Sequence, residues 1–359
     1  MWRDVFLANK DAVLEMLGRF NEDVSALTKA IRKGDGDALF EHFVRTRAIR
    51  KGIVDIGQDS PAPDFGRPHP DLPHGDRPFG EQREPRAAVV RRDHDLSVFR
   101  FPETHPAERV AAFDRKFGKS LERASQVITD TETVRQEMIE AFAIPEDRIT
   151  AVALGVDDRF HPRDGMPLAE PLNALGLRKD GYGLCVSTLE PRKRIVELLA
   201  AWQSLPRSLR DRFPLVLAGA PGWLNDDLHS AIEQATSEGW LRHLGFVDET
   251  VLPELYAGAG LFVYPSIYEG FGLPPLEAMA SGVPVIVSNR SCLPEVCGSA
   301  ARYVDPDDVD GFAAAIVEGL TDDAWREAAV SQGLDRARTF TWDRCIDRTV
   351  AVYRRAAAA

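Results

Sequence analysis

Cysteine is scarce in this chain. Four occur among 359 residues, at Cys185, Cys292, Cys297 and Cys345, and no two stand in a Cys-x-x-Cys spacing. Three lie next to or within expected strands or helices, so buried free thiols are the favoured reading over a metal site. Long apolar runs are missing too: none approaches the roughly 18 residues that suggest a membrane span. The N-terminus lacks a signal-peptide pattern, because Arg3, Asp4, Lys10 and Asp11 interrupt it. Basic charge is in deficit, 44 Lys and Arg against 56 Asp and Glu, a formal net charge of −12. That argues against nucleic acid as a general partner and against a strongly basic membrane-binding surface. Two phosphate-binding signatures also fail. Gly118-Lys119-Ser120 has Phe113 where a P-loop needs glycine, and Gly258-Ala259-Gly260 has Val263 where a dinucleotide fingerprint needs its third glycine. A cytoplasmic location is expected, with two domains for this length.

What the chain does contain is organised around residues 264–288, YPSIYEGFGLPPLEAMASGVPVIVS. An apolar run ending at Tyr264 suits a buried strand. The glycine-bearing loop Glu269-Gly270-Phe271-Gly272 follows, and Pro274 suits the first turn of a helix. Gly282 can end that helix, and Pro284–Val287 begins the next strand. Strand, glycine loop and helix aim backbone N–H groups at an anion. Glu269 and Glu277, spaced Glu-x7-Glu, flank that position, where a phosphate repels them. Their expected task is to accept hydrogen bonds from sugar hydroxyls, as acids do for ribose in dinucleotide folds. The stretch reads as a nucleotide-sugar site.

The N-terminal part is different. Val13, Leu17, Phe20, Val24, Leu27 and Ile31 alternate steps of four and three, the seam of a packed helix pair, and a second helix is expected through about Ile53. The wording MWRDVFLANKDAVLEMLGRF, GDGDALFEHFVRTRAIRKGI and DIGQDSPAPDFGR, over residues 1–67, resembles the C-terminal helical, dimer-forming part of prephenate/arogenate dehydrogenases. That resemblance implies helix pairing, with a homodimer through residues 1–58 as one outcome, and carries no dehydrogenase activity. Residues 59–88 hold seven prolines and hardly any apolar content, the composition of an extended connector. An apparent strand at 87–90 is cut short by Arg91-Arg92. Further strands are expected at 126–129 and 149–154 with a helix at 132–142, about two βα units of an incomplete N-terminal Rossmann half-domain over 89–175. His94, just past a strand, sits where ligands bind in open parallel sheets and could hydrogen-bond a sugar or steady developing charge. Taken alone, it reads as a loop histidine. His105 and His161, each followed by proline, read as turn residues.

From about residue 176 to 340, strands at 184–186, 215–218, 243–247, 261–264, 284–288 and 301–304 alternate with helices. This is the α/β pattern of a doubly wound parallel sheet, with helices at 323–337 and 342–356 closing the chain and 341–359 set apart as a C-terminal helix. The first strand runs into Glu190-Pro191-Arg192-Lys193-Arg194. Arg192 offers a fork and Lys193 a point charge to a diphosphate. Two anion-seeking features then converge on one sheet edge.

EGFGLPPLEAMASGVPVIVS, STLEPRKR, LVLAGAPGW and LGFVDETVLPELYAGAGLFVYPS resemble the retaining glycosyltransferases with two Rossmann domains (GT-B) and a Glu-x7-Glu pair. The resemblance covers about residue 89 to the end. It implies transfer of a sugar from a nucleoside diphosphate sugar with retained anomeric configuration, to a saccharide or lipid-linked saccharide acceptor. No metal or cofactor is implied. It makes Glu269 and His94 the catalytic residues, Glu269 at the reacting face of the donor sugar, and gives Gly270, Phe271, Gly272 and Leu273 donor contacts and Glu277 the ribose. Arg192 and Lys193 take the leaving diphosphate, Phe246 and Val247 the base, and His94 the donor sugar. HDLSVFRFPETHP is similar to a subgroup that builds bacterial surface polysaccharide with GDP-mannose or related donors, which would place the chain at the inner membrane face. The family's first domain would begin well before Asp93, with an acceptor loop; dehydrogenase-like helices and the Pro-rich connector stand there instead. The alternative is a helical interaction protein carrying an inactive sugar-nucleotide domain, or a prephenate dehydrogenase fragment.

Overall fold

A computed structural model of the chain describes residues 89–223 and 226–358. The helices expected in residues 1–58 and the connector 59–88 lie outside the described residues. The first sheet consists of β1 (Val90–Asp93), β2 (Gln126–Thr129) and β3 (Ile149–Ala151), parallel and in that order. Helices α1 (Ser97–Arg100) and α2 (Ala107–Arg123) join β1 to β2, and α3 (Glu132–Phe142) joins β2 to β3. Thr131 caps α3, its hydroxyl accepting the Val134 N–H at 3.3 Å. β1 continues through Arg91 and Arg92, where the sequence pattern places its end. Both cations are accommodated. Arg91 pairs with Asp93 and lies 4.4 Å over the Phe117 ring, while Arg92 donates to Asp130 at 2.9 Å and to the Val152 carbonyl at 2.9 Å.

After α4 (Met166–Ala174), the second sheet alternates strands with helices. It runs β4 (Gly183–Val186), α5 (Ile195–Gln203), α6 (Arg207–Arg212), β5 (Leu215–Ala218), α7 (Asp226–Ser237) and β6 (Leu241–Gly245). It continues through α8 (Leu252–Ala257), β7 (Leu261–Tyr264), α9 (Leu273–Ala280), β8 (Val285–Ser288), α10 (Leu293–Cys297) and β9 (Ala301–Val304). All neighbours are parallel, in the order β6-β5-β4-β7-β8-β9. β5, β7 and β8 are buried at every position, as strands covered on both faces must be. This order reverses direction between β4 and β7, which makes their carboxyl ends the topological switch point where such sheets bind ligands.

Three helices close the chain: α11 (Val309–Thr321), α12 (Asp323–Ala337) and α13 (Trp342–Ala358). Helix α11 is not among the helices expected from the sequence, although Asp308 caps the Gly311 N–H at 2.8 Å and Phe312, Ala315, Ile316, Gly319 and Leu320 form a buried stripe. Helix α13 returns to the first sheet, where Cys345 and Val352 are buried with Ile128 and Val152. β6 also differs, running over 241–245 rather than 243–247, and ends at Gly245, whose φ is 63°. No described helix is long and apolar enough to cross a membrane.

The loop after β7 belongs to two cores at once. Tyr268 is buried among Leu96, Phe117, Val127 and Met138 of the first sheet's core. Its hydroxyl accepts the Leu96 N–H at 3.2 Å and donates to Glu137 at 2.6 Å. Glu295, on α10, accepts the N–H groups of Glu132 and Thr133 at 2.7 and 2.8 Å, capping α3 from the other sheet's side. Replacing Tyr268 by Phe removes the acceptor of the buried Leu96 N–H and leaves Glu137 to Arg100 alone, so unfolding in urea should show a loss of about 1–3 kcal/mol. An unchanged midpoint would show that the hydroxyl does not hold the two sheets together.

Candidate functional site

Two loops meet at the switch point. One follows β4 and carries Ser187 to Arg194; the other follows β7 and carries Pro265 to Gly272. The Ile267 N–H donates to the Arg192 carbonyl at 2.9 Å, tying one loop to the other through the backbone. Side chains complete the join. Lys193 Nζ forms an ion pair with Glu269 Oε1 and donates to the Tyr264 hydroxyl at 2.9 Å, which itself donates to Glu269 Oε1 at 3.0 Å. Arg192 reaches Glu269 Oε2 at 3.4 Å, donates to the Tyr268 carbonyl at 2.6 Å and pairs with Glu190 at 2.8 Å. Lys193, Glu190 and Glu269 are all buried.

Burial alone would push the Glu269 carboxyl up. Lys193 and Arg192 outweigh it and hold the group at about 2. A carboxylate so held does not donate a proton near neutrality; it accepts hydrogen bonds. Behind it, the Ser291 hydroxyl donates to the Glu269 carbonyl at 2.7 Å and accepts the Glu269 N–H at 3.2 Å. Ser291 does this with φ of 56°, and Arg194 has φ of 54°. Non-glycine residues in the left-handed region cost of order 1–3 kcal/mol and persist only where their surroundings demand it.

Gly270 follows Glu269 and lies against the first sheet. A Cβ there would stand 1.7 Å from the His94 carbonyl oxygen, so only glycine permits the approach. Thr131 locks it by donating to the Gly270 carbonyl at 2.9 Å. Phe271 is buried edge-on to Phe340, Gly272 precedes α9 in a left-handed conformation, and Leu273 begins the helix.

His94 stands at the end of β1 with an exposed ring whose Nδ1 lies 2.6 Å from Asp130 Oδ2. That hydrogen bond raises the imidazole above its usual value, burial opposing it. Asp130 is almost fully buried and also holds Arg92. An Asp–His pair of this kind orients the ring and leaves Nε2 for a ligand. The structure thus brings Arg192, Lys193 and Glu269 into direct contact and sets Gly270 on the His94 backbone. It does not bring Glu277 into that network. Glu277 lies a turn along α9 with Tyr256, Arg159 and Asp157 as electrostatic neighbours, and burial pushes its carboxyl up to about 7. Phe246 and Val247 follow β6, Phe246 exposed and Val247 packed on the core.

Sequence reasoning missed Asp130, Tyr264, Glu190 and Ser291. Asp130 could have been found as an acid at the end of a strand beside the one carrying His94. The positive φ of Ser291 has no signal in residue type.

Replacing Glu269 by Gln leaves buried Lys193 without its carboxylate and Arg192 with Glu190 alone. The variant should lose about 3–5 kcal/mol at neutral pH. Glu269 in the folded chain sits below its unfolded value near 4.5, so its contribution is present above that pH and lost as pH falls toward 2. The gap between wild-type and variant melting temperatures should therefore narrow as pH falls from about 4.5 toward 2; a gap constant over that range would contradict the assignment.

The family description Glycosyl transferases group 1 matches residues 174–336, and that of the prephenate dehydrogenase dimerization domain matches residues 1–45. The chain is 44% identical over 281 residues to O-antigen chain mannosyltransferase B of Escherichia coli, covering 78% of this chain and 73% of that protein. It is 35% identical over 230 residues to the serotype-specific mannosyltransferase WbdA of Escherichia coli, 62% of this chain and only 28% of that one. Among solved structures, Anabaena HepE in complex with UDP and glucose superposes with a TM-score of 0.63 at 21% identity, over 74% of this chain and 70% of that one. WaaG, a glycosyltransferase involved in lipopolysaccharide biosynthesis, gives 0.60 at 18%, over 72% and 73%. These two share the GT-B fold with the chain.

Proposed function

We propose, from the premise that this chain belongs to the group 1 glycosyl transferases, that it moves a mannosyl unit from a nucleoside diphosphate mannose to a saccharide acceptor with the anomeric configuration retained. The carrying observation is the contact of Arg192 and Lys193 with Glu269 at the switch point between β4 and β7. Mannose as the transferred sugar is supported by the mannosyltransferases among its relatives. GDP as the carrier rests on the sequence resemblance.

In this reading the bond between the anomeric carbon and the diphosphate oxygen breaks, and the acceptor oxygen bonds to the same face of that carbon. The acceptor's proton leaves with the diphosphate. Arg192 and Lys193 meet the charge that develops on the leaving group, already desolvated and fixed in place, so little reorganisation is needed at the moment of reaction. Glu269 accepts hydrogen bonds from the mannosyl hydroxyls. The N–H groups of the Gly270 loop and the free nitrogen of His94 take the remaining oxygens. Glu277 accepts from the ribose.

The last role has a pH signature. Burial pushes the Glu277 carboxyl up to about 7, above its unfolded value, so in the free protein it takes up a proton as pH falls through this region. A ribose diol donates best to the carboxylate, so affinity for GDP, measured by calorimetry, should rise several-fold from pH 6 to 8. The Glu277→Gln variant should lose that slope, and a slope unaltered by the change would contradict the ribose role. Proton NMR of product formed from GDP-mannose should show the α-anomer from the α-donor; the β-anomer would refute retention.

A further inference from the structure

The proposed reaction leaves one buried histidine without a task. His105, expected as an ordinary turn residue, is 4% exposed, and neither ring nitrogen has a hydrogen-bond partner. Leaving a buried polar atom unmade costs about 1–3 kcal/mol, so two on one ring call for a ligand. Burial, Arg109 and Arg192 lower the imidazole below its usual value. At neutral pH it is uncharged, with one nitrogen a donor and the other an acceptor.

His105 lies at the seam between the two sheets. The Trp223 ring is 5.7 Å from it, and the indole N–H donates to the Thr104 carbonyl at 2.7 Å. Arg109 stands 5.0 Å from the same indole. Trp223 is carried there by the loop after β5, which pairs with the loop after β4 through Leu189 and Pro221. A Cβ on Gly222 would stand 1.9 Å from the Leu189 carbonyl oxygen, so the neighbouring loops touch only because residue 222 is glycine. Next along the β4 loop is Glu190. Its Oε1 pairs with Arg192, while its Oε2 is buried and unpartnered. Arg192 Nε and Ser187 Oγ are also buried without partners. Glu190 and Asp95 are both close enough to His105 to act on its charge.

A donor and acceptor on one ring, a carboxylate oxygen and an indole face suit a polyol. Sugar hydroxyls both donate and accept, and the C–H face of a pyranose packs on an aromatic ring. We propose that His105, Glu190 and Trp223 form a saccharide subsite at the seam, beside the diphosphate site and separate from the Glu269–His94 contacts. The subsite rests on the glycosyl-transfer reading given above. His105 and Glu190 hydrogen-bond neutral hydroxyls, and Trp223 packs on the sugar face. The sugar belongs either to the acceptor or to the donor.

Tryptophan fluorescence of the full chain tests this, titrated separately with an α-linked mannose disaccharide, GDP-mannose and GDP. The expected result is a quench by a mannose-bearing probe that vanishes in Trp223→Phe. Its affinity should fall at least tenfold in His105→Ala and recover in part in His105→Gln, with GDP affinity unchanged in all three. Melting curves show whether each variant folds, and His105→Gln carries the comparison if the alanine variant does not. A defect confined to the disaccharide assigns the subsite to the acceptor, and one confined to GDP-mannose assigns it to the donor sugar. Equal affinities of the wild type and both His105 variants for both sugar probes would overturn the subsite, as would absence of any sugar-dependent quench while GDP still binds. Loss of GDP binding in the wild type, with the disaccharide quench intact, would instead count against the donor reading.

Discussion

A glutamate buried between an ammonium and a guanidinium sets the terms for the rest of this structure. Each of the three charges would be costly alone in a site closed to water. Together they are tolerated, and the two loops that carry them are bound to each other. Tyr264 fills the angle between Lys193 and Glu269, and Ser291 grips the Glu269 backbone from behind. The two cations therefore stand pre-placed and stripped of water, the condition in which they act most strongly on a diphosphate.

This arrangement depends on the other sheet as well. The β7 loop does not end in solvent: Tyr268 enters the first sheet's core, and Gly270 presses on the His94 backbone. Glu295 caps α3 across the same seam, and α13 crosses back to cover β1 to β3. What looks from the sequence like half of a domain thus acts as the wall against which the glycine loop is set. His94 and its buried partner Asp130 come with that wall, and so does His105.

Much of the second sheet was legible because its strands are short apolar runs punctuated by glycine and proline, and its phosphate-seeking residues follow strands. The adjacency of β4 and β7 was not legible in the same way. They are separated by two further strands along the chain, and only the sheet order makes them neighbours. α11 is hard to read in the sequence because its alanines and glycines dilute the apolar stripe. The extent of β1 is not legible, because Arg91 and Arg92 look like a strand end until Phe117, Asp93 and Asp130 are in place. The burial of His105 could not be read from a His-Pro pair, since the residue that covers it, Trp223, is far along the chain. Glu277 was paired with Glu269 by spacing, yet the structure separates their electrostatic surroundings and gives them opposite shifts, about 2 and about 7.

The account stands on one position for the diphosphate. A crystal of the full chain soaked with GDP measures it directly. The β-phosphate should lie within about 3 Å of Lys193 Nζ and Arg192, the distance of a charge-assisted hydrogen bond. Phosphates bound instead in the cavity of about 630 Å³ between Asp157, Phe160, Phe340 and Trp342, with Lys193 and Arg192 untouched, would contradict it.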